Sequence, residues 1–260
     1  MLQLPAIDPV IVQLGPFALR WYGVMYLLGF LIGYLVIRYL AEQRQLPLNR
    51  DGQSDLLFYC VLGVILGGRL GYVLFYNAGY YLQHPLQIFS VWEGGMSFHG
   101  GLVAVVVATL LFSWRRKLPI LLLGDILVTA SALGLGLGRI GNFINGELWG
   151  RVTTVPWGMV FPAAGPEPRH PSQLYEAILE GLVLFLVLWW LHRRKAPHGV
   201  PLFSFLLLYG SFRFVIEFFR QPDAHLGFLW AGATMGQVLS LPMILVGVGG
   251  ILACRGRKQA

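Results

Sequence analysis

Apolar residues gather in long blocks, with polar residues confined to the short stretches between them. Seven blocks stand out, at 21–40, 56–76, 100–114, 118–140, 174–191, 201–219 and 233–253. A helix needs roughly 20 mostly apolar residues to cross the hydrocarbon of a bilayer. The third block is short and is expected to extend back through Ser97. The pattern predicts an all-α, polytopic membrane protein of seven transmembrane helices, forming one transmembrane domain over 1–260.

The charges between the blocks give an orientation. Arg38, Arg44 and Arg50 flank the first connection, Arg115, Arg116 and Lys117 the third, and Arg193, Arg194 and Lys195 the fifth, while Arg255, Arg257 and Lys258 end the chain. Residues 77–96 carry no Lys or Arg. Positive residues mark the cytoplasmic side, so the N-terminus is expected outside and the C-terminus in the cytoplasm. Residues 77–96 mix apolar and polar positions and read as an outer arm lying along the interface. Residues 145–173, rich in Gly and Pro, read as a small outer, periplasmic cap. Trp21, Trp92, Trp149, Trp157 and Trp230 fall near the outer boundary, as an aromatic belt would. Gly29 and Gly33, Gly63, Gly67 and Gly71, and Gly134, Gly138 and Gly141 follow small-xxx-small spacing, which predicts close helix packing.

Composition agrees with this picture. The 260 residues are 56% hydrophobic and only 12% charged, against about 25% charged in soluble proteins. The net charge of +7 is parcelled into membrane-flanking clusters, so no nucleic acid partner is expected. Cys60 and Cys254 have no metal or redox spacing. The first nineteen residues carry no Lys or Arg, unlike the start of a cleaved signal peptide, so the first helix is expected to stay in the mature protein.

Twelve of the nineteen Lys and Arg form those membrane-flanking clusters; Arg20, Arg69, Arg139, Arg151, Arg169, Arg213 and Arg220 do not. An arginine inside a span is costly and marks a functional-site hypothesis. With the orientation above, Arg69, Arg139, Arg213 and Glu217 all fall in the outer halves of their spans, Arg220 at the outer surface, and Tyr22 and His99 at outer helix ends. Tyr209, Arg213, Glu217 and Arg220 share one helix face, so Glu217 can pair with Arg213. Arg69 and Arg139 are expected to be unpaired, which favours an anion among them. Glu176 and Glu180 sit four apart in the fifth span and are read first as structural partners for outer arginines. Asp125 lies towards the cytoplasmic end of its span. His99 is a candidate general base; His84 and His170 are also outside. No metal site is apparent, because the outer histidines and carboxylates lack ligand spacing.

One stretch is more specific than the rest, Gly138-Arg139-Ile140-Gly141-Asn142-Phe143-Ile144-Asn145-Gly146-Glu147-Leu148-Trp149-Gly150. It closely resembles the signature of the prolipoprotein diacylglyceryl transferase family. Trp21-Tyr22-Gly23, Gly67-Gly68-Arg69, residues 95–101, residues 169–176 and residues 209–223 are similar to further blocks of that family, in the same order. The resemblance implies a multi-pass enzyme of the bacterial cytoplasmic (inner) membrane whose active site opens to the periplasmic side. It implies transfer of the diacylglyceryl group of phosphatidylglycerol to the lipobox cysteine of a prolipoprotein signal peptide. A thioether forms, glycerol phosphate leaves, and signal peptidase II acts next. No cofactor is implied. By position, Arg139 and Arg213 match the family's proposed phosphate-binding arginines and Asn142 its signature asparagine. Tyr22, His99, Glu147, Gly150, Tyr209 and Glu217 match positions important there. The expected catalytic set is His99, Arg139 and Arg213; the expected substrate-binding set is Arg139, Asn142, Tyr22, Arg69, Glu147, Gly150, Tyr209, Glu217 and Arg220.

Two other readings compete. An anion or lipid transporter would also line a cavity with arginines, but it needs a route to both faces, and the inner halves of the spans lack matching charges. A serine protease built on Ser97 and His99 has its two residues too close in sequence and lacks the usual serine motif.

Overall fold

The computed structural model describes residues 2–5, 7–15, 17–90, 94–222, 227–229 and 232–256. Trp92 and Trp230 of the expected aromatic belt, Asp223 of the last family-like block, and Arg257 and Lys258 of the basic C-terminus lie outside them. The chain divides into two compact units, one of Met1–Leu40 with Asp125–Ala260, the other Ala41–Gly124.

The helices are α1 (Trp21–Gln43), α2 (Arg50–Tyr76), α3 (Ala78–Gln83), α4 (Phe98–Arg116), α5 (Ile120–Ile144), α6 (Ser172–Glu176), α7 (Leu184–Arg193), α8 (Val200–Ile216) and α9 (Met235–Gly256). A π-helical segment, Ala177–Val183, joins α6 to α7 without a break, so Ser172–Arg193 is one rod. Among the described residues six helices are long and apolar enough to cross a membrane: α1, α2, α4, α5, the composite rod and α9. The block expected at 201–219 forms α8, which at 17 residues is shorter than these. At 1.5 Å per residue it spans about 26 Å. It stops at Ile216 because the next residues turn away to pair with the 150 region, Phe219 O accepting from Arg151 N at 2.8 Å.

Short strands amend the all-helical expectation. β2 (Val10–Leu14) and β3 (Phe17–Arg20) form an antiparallel hairpin directly before α1. Gly15 turns it with φ +59°, a conformation glycine adopts without steric cost. β1 (Leu2–Gln3) pairs in parallel with β4 (Met159–Val160), which pairs antiparallel with β5 (Pro168–Arg169). The segment at 145–173 is therefore tied to the N-terminus by a small sheet.

In the unit Ala41–Gly124, α2 and α4 pack through glycines, as the spacing predicted. A Cβ at Gly71 would lie 2.8 Å from the Gly100 Cα, and one at Gly63 3.3 Å from the Ala104 backbone. The α4 helix starts at Phe98 because Ser97 caps it, its hydroxyl accepting from Gly100 N at 3.2 Å. In the other unit, Gly29 of α1 meets Gly134 of α5, and Gly136 of α5 meets Gly181 of the π segment. Gly138, grouped with them by spacing, has open space beside it. Ala132, Leu184 and Leu188 form a buried core on which Phe205, Tyr209 and Phe212 pack. Asp125, fully buried, caps α8 by accepting from Gly199 N and Leu202 N, each at 2.8 Å.

Candidate functional site

Three arginines and three glutamates interlock where α5, the composite rod and α8 converge. Arg139 Nε lies 2.9 Å from Glu176 Oε2, and Arg213 Nη1 donates to Glu176 Oε1 at 2.8 Å. Arg220 Nη1 reaches the same Oε1 at 3.3 Å. Arg213 Nη2 also contacts Glu217 one helical turn away. Glu180 sits further off, 3.7 Å from Arg139 Nη2 and 3.9 Å from Arg213 Nη1. Glu176 and Glu180 are sealed from solvent, whereas the side chains of Arg139 and Arg213 remain 19% and 16% exposed. A buried charge is costly unless it is paired and hydrogen-bonded; the cluster is formally neutral, and Glu180 lacks a hydrogen bond on either oxygen.

This geometry changes two expectations. Arg139 is not unpaired: Glu176 and Glu180, one turn apart on the facing helix, both hold it. Arg220 is not a surface residue: it is 6% exposed. The pairing of Glu217 with Arg213 is present as expected. Tyr209, stacked on Phe205, lies within electrostatic reach of Glu180, Arg139 and Arg213.

The motif at 138–150 ends α5 and folds back over this cluster. Asn142 Nδ2 donates to Glu147 Oε1 at 2.8 Å, and Asn145 Nδ2 donates to the same oxygen at 3.1 Å. Gln173 Nε2 and Ser172 Oγ, at the start of α6, donate to the carbonyls of Glu147 and Leu148. Gly150 then threads between two strands of backbone. Its N–H donates to His170 O at 2.8 Å, and a Cβ there would lie 2.6 Å from both His170 O and Phe219 O. Arg151 finishes the clamp by donating from Nε to Arg220 O and from Nη2 to Glu217 O. Tyr22 packs its ring on Gly141, where a Cβ would come within 3.0 Å of it, and it lies within electrostatic reach of Arg139 and Glu147. Its hydroxyl is 3.2 Å from that of Tyr26.

An aromatic chain borders the cluster. Trp157 Nε1 donates to the Tyr175 hydroxyl at 2.7 Å, which is 3.1 Å from His170 Nδ1. Burial lowers the His170 pKa below its ordinary 6.5, which favours the uncharged ring at neutral pH. These residues line an apolar cleft of about 450 Å³ with Val215, Ile216 and Phe219.

Arg69 and His99 belong to the other unit. Arg69, 4% exposed, donates from all three guanidinium nitrogens to backbone carbonyls of the 77–96 arm: Nε to Ile88, Nη1 to Gly94 and Gly95, and Nη2 to Gln87. It holds the arm against α2, and its ring partner is Tyr81. His99 is exposed in the first turn of α4, edge-on to Phe98.

Thus Arg139, Arg213, Glu217, Arg220 and Tyr209 come together, and Tyr22, Asn142, Glu147 and Gly150 surround them. The centre of the cluster is Glu176, which sequence reasoning placed as a supporting partner. Arg151, named among the seven arginines outside the basic clusters, and Gln173, in the family-like block 169–176, were given no role, although each fixes a functional segment by its backbone. An acidic residue inside an apolar span was the available signal for Glu176; Gln173 was marked only by its place in the family-like block 169–176.

Sequence comparisons bear on this arrangement. The family profile described as prolipoprotein diacylglyceryl transferase matches residues 9–253. The chain is 56% identical over 247 residues to the phosphatidylglycerol–prolipoprotein diacylglyceryl transferase of Geobacter sulfurreducens, covering 95% of each chain. It is 56% identical to the enzyme of that name from Bordetella avium, again over 95% of each chain. It is 52% identical to that of Shewanella oneidensis over 99% of each. Similarity of this depth spans the motif at 138–150, the ion cluster and every predicted span, and the chain belongs to the prolipoprotein diacylglyceryl transferase family.

Proposed function

We propose that this protein transfers the diacylglyceryl group of phosphatidylglycerol to the lipobox cysteine thiol of prolipoproteins. The observation that carries the reading is the pair Arg139 and Arg213, held rigid by buried glutamates yet partly accessible, in a chain so similar to transferases of that name.

The thiolate sulfur attacks the glycerol carbon bonded to the phosphate oxygen. The carbon–oxygen bond breaks, a thioether forms, and glycerol phosphate departs with the bonding electrons. Negative charge therefore grows on the phosphate. Arg139 and Arg213 receive it, and their orientation is set in advance by Glu176 and Glu217. Fixed donors in a water-poor site need no reorganisation as charge develops, an effect often worth about 3–4 kcal/mol per donor. Arg220 secures Glu176 and so acts through it. Asn142 and Glu147 shape the headgroup side, Gly150 brings two backbone segments close, and Tyr22 and Tyr209 position the lipid. Arg69 contributes by fixing the arm, since its guanidinium is committed to carbonyls. Removal of the thiol proton is assigned to His99 on the family resemblance of residues 95–101, and unchanged turnover of His99→Gln across pH would withdraw the assignment.

Seven spans, with the N-terminus and the cluster facing the periplasm, follow from the positive clusters between the helices. The enzyme works in the bacterial cytoplasmic membrane, and its product passes to signal peptidase II.

The test is a transfer assay with purified protein, phosphatidylglycerol and a lipobox peptide, following glycerol phosphate release. Release that requires the peptide cysteine and is lost in Arg139→Ala supports the reading. Folded protein that releases none in several lipids and detergents overturns it and leaves anion or lipid flux to be measured in proteoliposomes.

A further inference from the structure

Glu180 has the poorest pairing of the three cluster carboxylates. It is 1% exposed, and neither of its oxygens has a hydrogen-bond partner. Its arginine contacts, 3.7 and 3.9 Å, are too long to be hydrogen bonds. Glu176 takes the short contacts to Arg139, Arg213 and Arg220, and Glu217 takes one from Arg213. The groups facing Glu180 are Arg139 from α5, Tyr209 and Arg213 from α8, Arg220 beyond α8, and Glu176 from its own rod. Glu180 also stands in the π-helical segment, a distortion that concentrates at functional sites.

The cluster is formally neutral while empty. A phosphodiester docking on Arg139 and Arg213 adds one negative charge where water screens little, and it draws both guanidinium groups away from Glu180. Glu176 and Glu217 cannot release their charge without giving up short contacts to arginine. Glu180 has no hydrogen bond to lose.

We propose that Glu180 takes up a proton from solvent when the phosphate of the anionic lipid docks on Arg139 and Arg213, and returns it when the phosphate leaves. In this step the carboxylate becomes a carboxylic acid, and no bond of the lipid breaks. The inference rests on the transferase reading, and adds a titrating counter-charge to it. Glu180 is a positioning residue here, since it acts through the arginines.

Calorimetric titration of the full chain in detergent with phosphatidylglycerol, in two buffers of different ionisation heat, counts protons taken up per lipid. At mildly alkaline pH the wild type is expected to take up about one proton, with affinity weakening about tenfold per pH unit. In Glu180→Gln, which keeps the shape, uptake falls to about zero and the affinity becomes flat with pH. Glu180→Asp, still titratable, keeps the uptake. An infrared band of a protonated carboxyl, appearing on lipid binding in the wild type, gives the same answer without any variant. Zero uptake or no such band in the wild type overturns the proposal, as does unchanged uptake in a folded Glu180→Gln. Failure of the wild type to bind the lipid overturns the transferase reading and this inference together. Binding without a linked proton overturns the inference alone.

Discussion

Asn142 is joined to Glu147 by a 2.8 Å hydrogen bond that closes the end of α5 onto the turn behind it. The bond fixes both donor and acceptor, because Nδ2 can only donate and Oε1 only accept. Asn142→Asp sets two acceptors face to face. It is expected to cost about 1–3 kcal/mol of stability and at least roughly tenfold in transfer rate. Glu147→Gln in the same molecule supplies a donor again, and the double variant should regain part of both losses. A double-mutant cycle on unfolding midpoint and turnover measures this.

Gly150→Ala has nowhere to place its methyl, with His170 and Phe219 carbonyls at 2.6 Å from the new atom. Both are backbone, so neither can swing aside. The expected destabilisation is about 1–3 kcal/mol, with transfer lost because the cap and the end of α8 are pushed apart. Thermal unfolding in detergent and the release assay read the two effects; a stable, active variant would refute the close approach.

Arg139→Lys keeps the positive charge and loses the fork that spans Glu176 and Glu180. A kcat lower by about 100-fold, with helical content unchanged, is expected from loss of one preorganised donor. Wild-type turnover in this variant would rule out two-pronged phosphate contact at position 139.

Asp125→Ala probes the opposite expectation. It removes two acceptors from the start of α8, which should cost about 1–2 kcal/mol. Asp125 makes none of the ion pairs of the arginine cluster, so turnover per folded molecule should hold. Comparing unfolding midpoint with specific activity separates the two.

His170 predicts the direction of an acid effect. Its folded pKa is lowered by burial, so the unfolded chain binds more protons around the ordinary value of 6.5. Its contribution to stability is complete above that pH and fades as pH falls through it. His170→Gln should flatten this part of the stability profile between neutral and mildly acidic pH.

The helices were legible because hydrocarbon demands continuous apolar stretches, and six long ones stand where the blocks predicted. Glycine contacts between α2 and α4 were legible from their spacing. The partner of Arg139 was not. Spacing along one helix tells which residues share a face, as with Arg213 and Glu217, but not which helix that face meets. Glu176 and Glu180 were visible as acids in an apolar run, and only the fold turns them towards α5. The hairpin of β2 and β3 went unread because its alternation is brief and lies beside a much stronger helical block. Arg69 misled through its charge: in the folded chain it serves as a hub for carbonyls of the arm.

The π-helical stretch from Ala177 to Val183 also constrains how this rod can vary in length. Such a stretch widens the turn and takes up one residue more than regular winding would. Deleting one residue there would let the rod relax to regular α winding and leave Ser172–Glu176 and Leu184–Arg193 close to their present faces. Glu176 would then stay on its arginines while Leu184 and Leu188 kept their seat in the core. The same deletion within Leu184–Arg193 meets no such slack and turns the two ends by about 100° against each other, so a lost residue is absorbed at the π stretch and not in the regular winding.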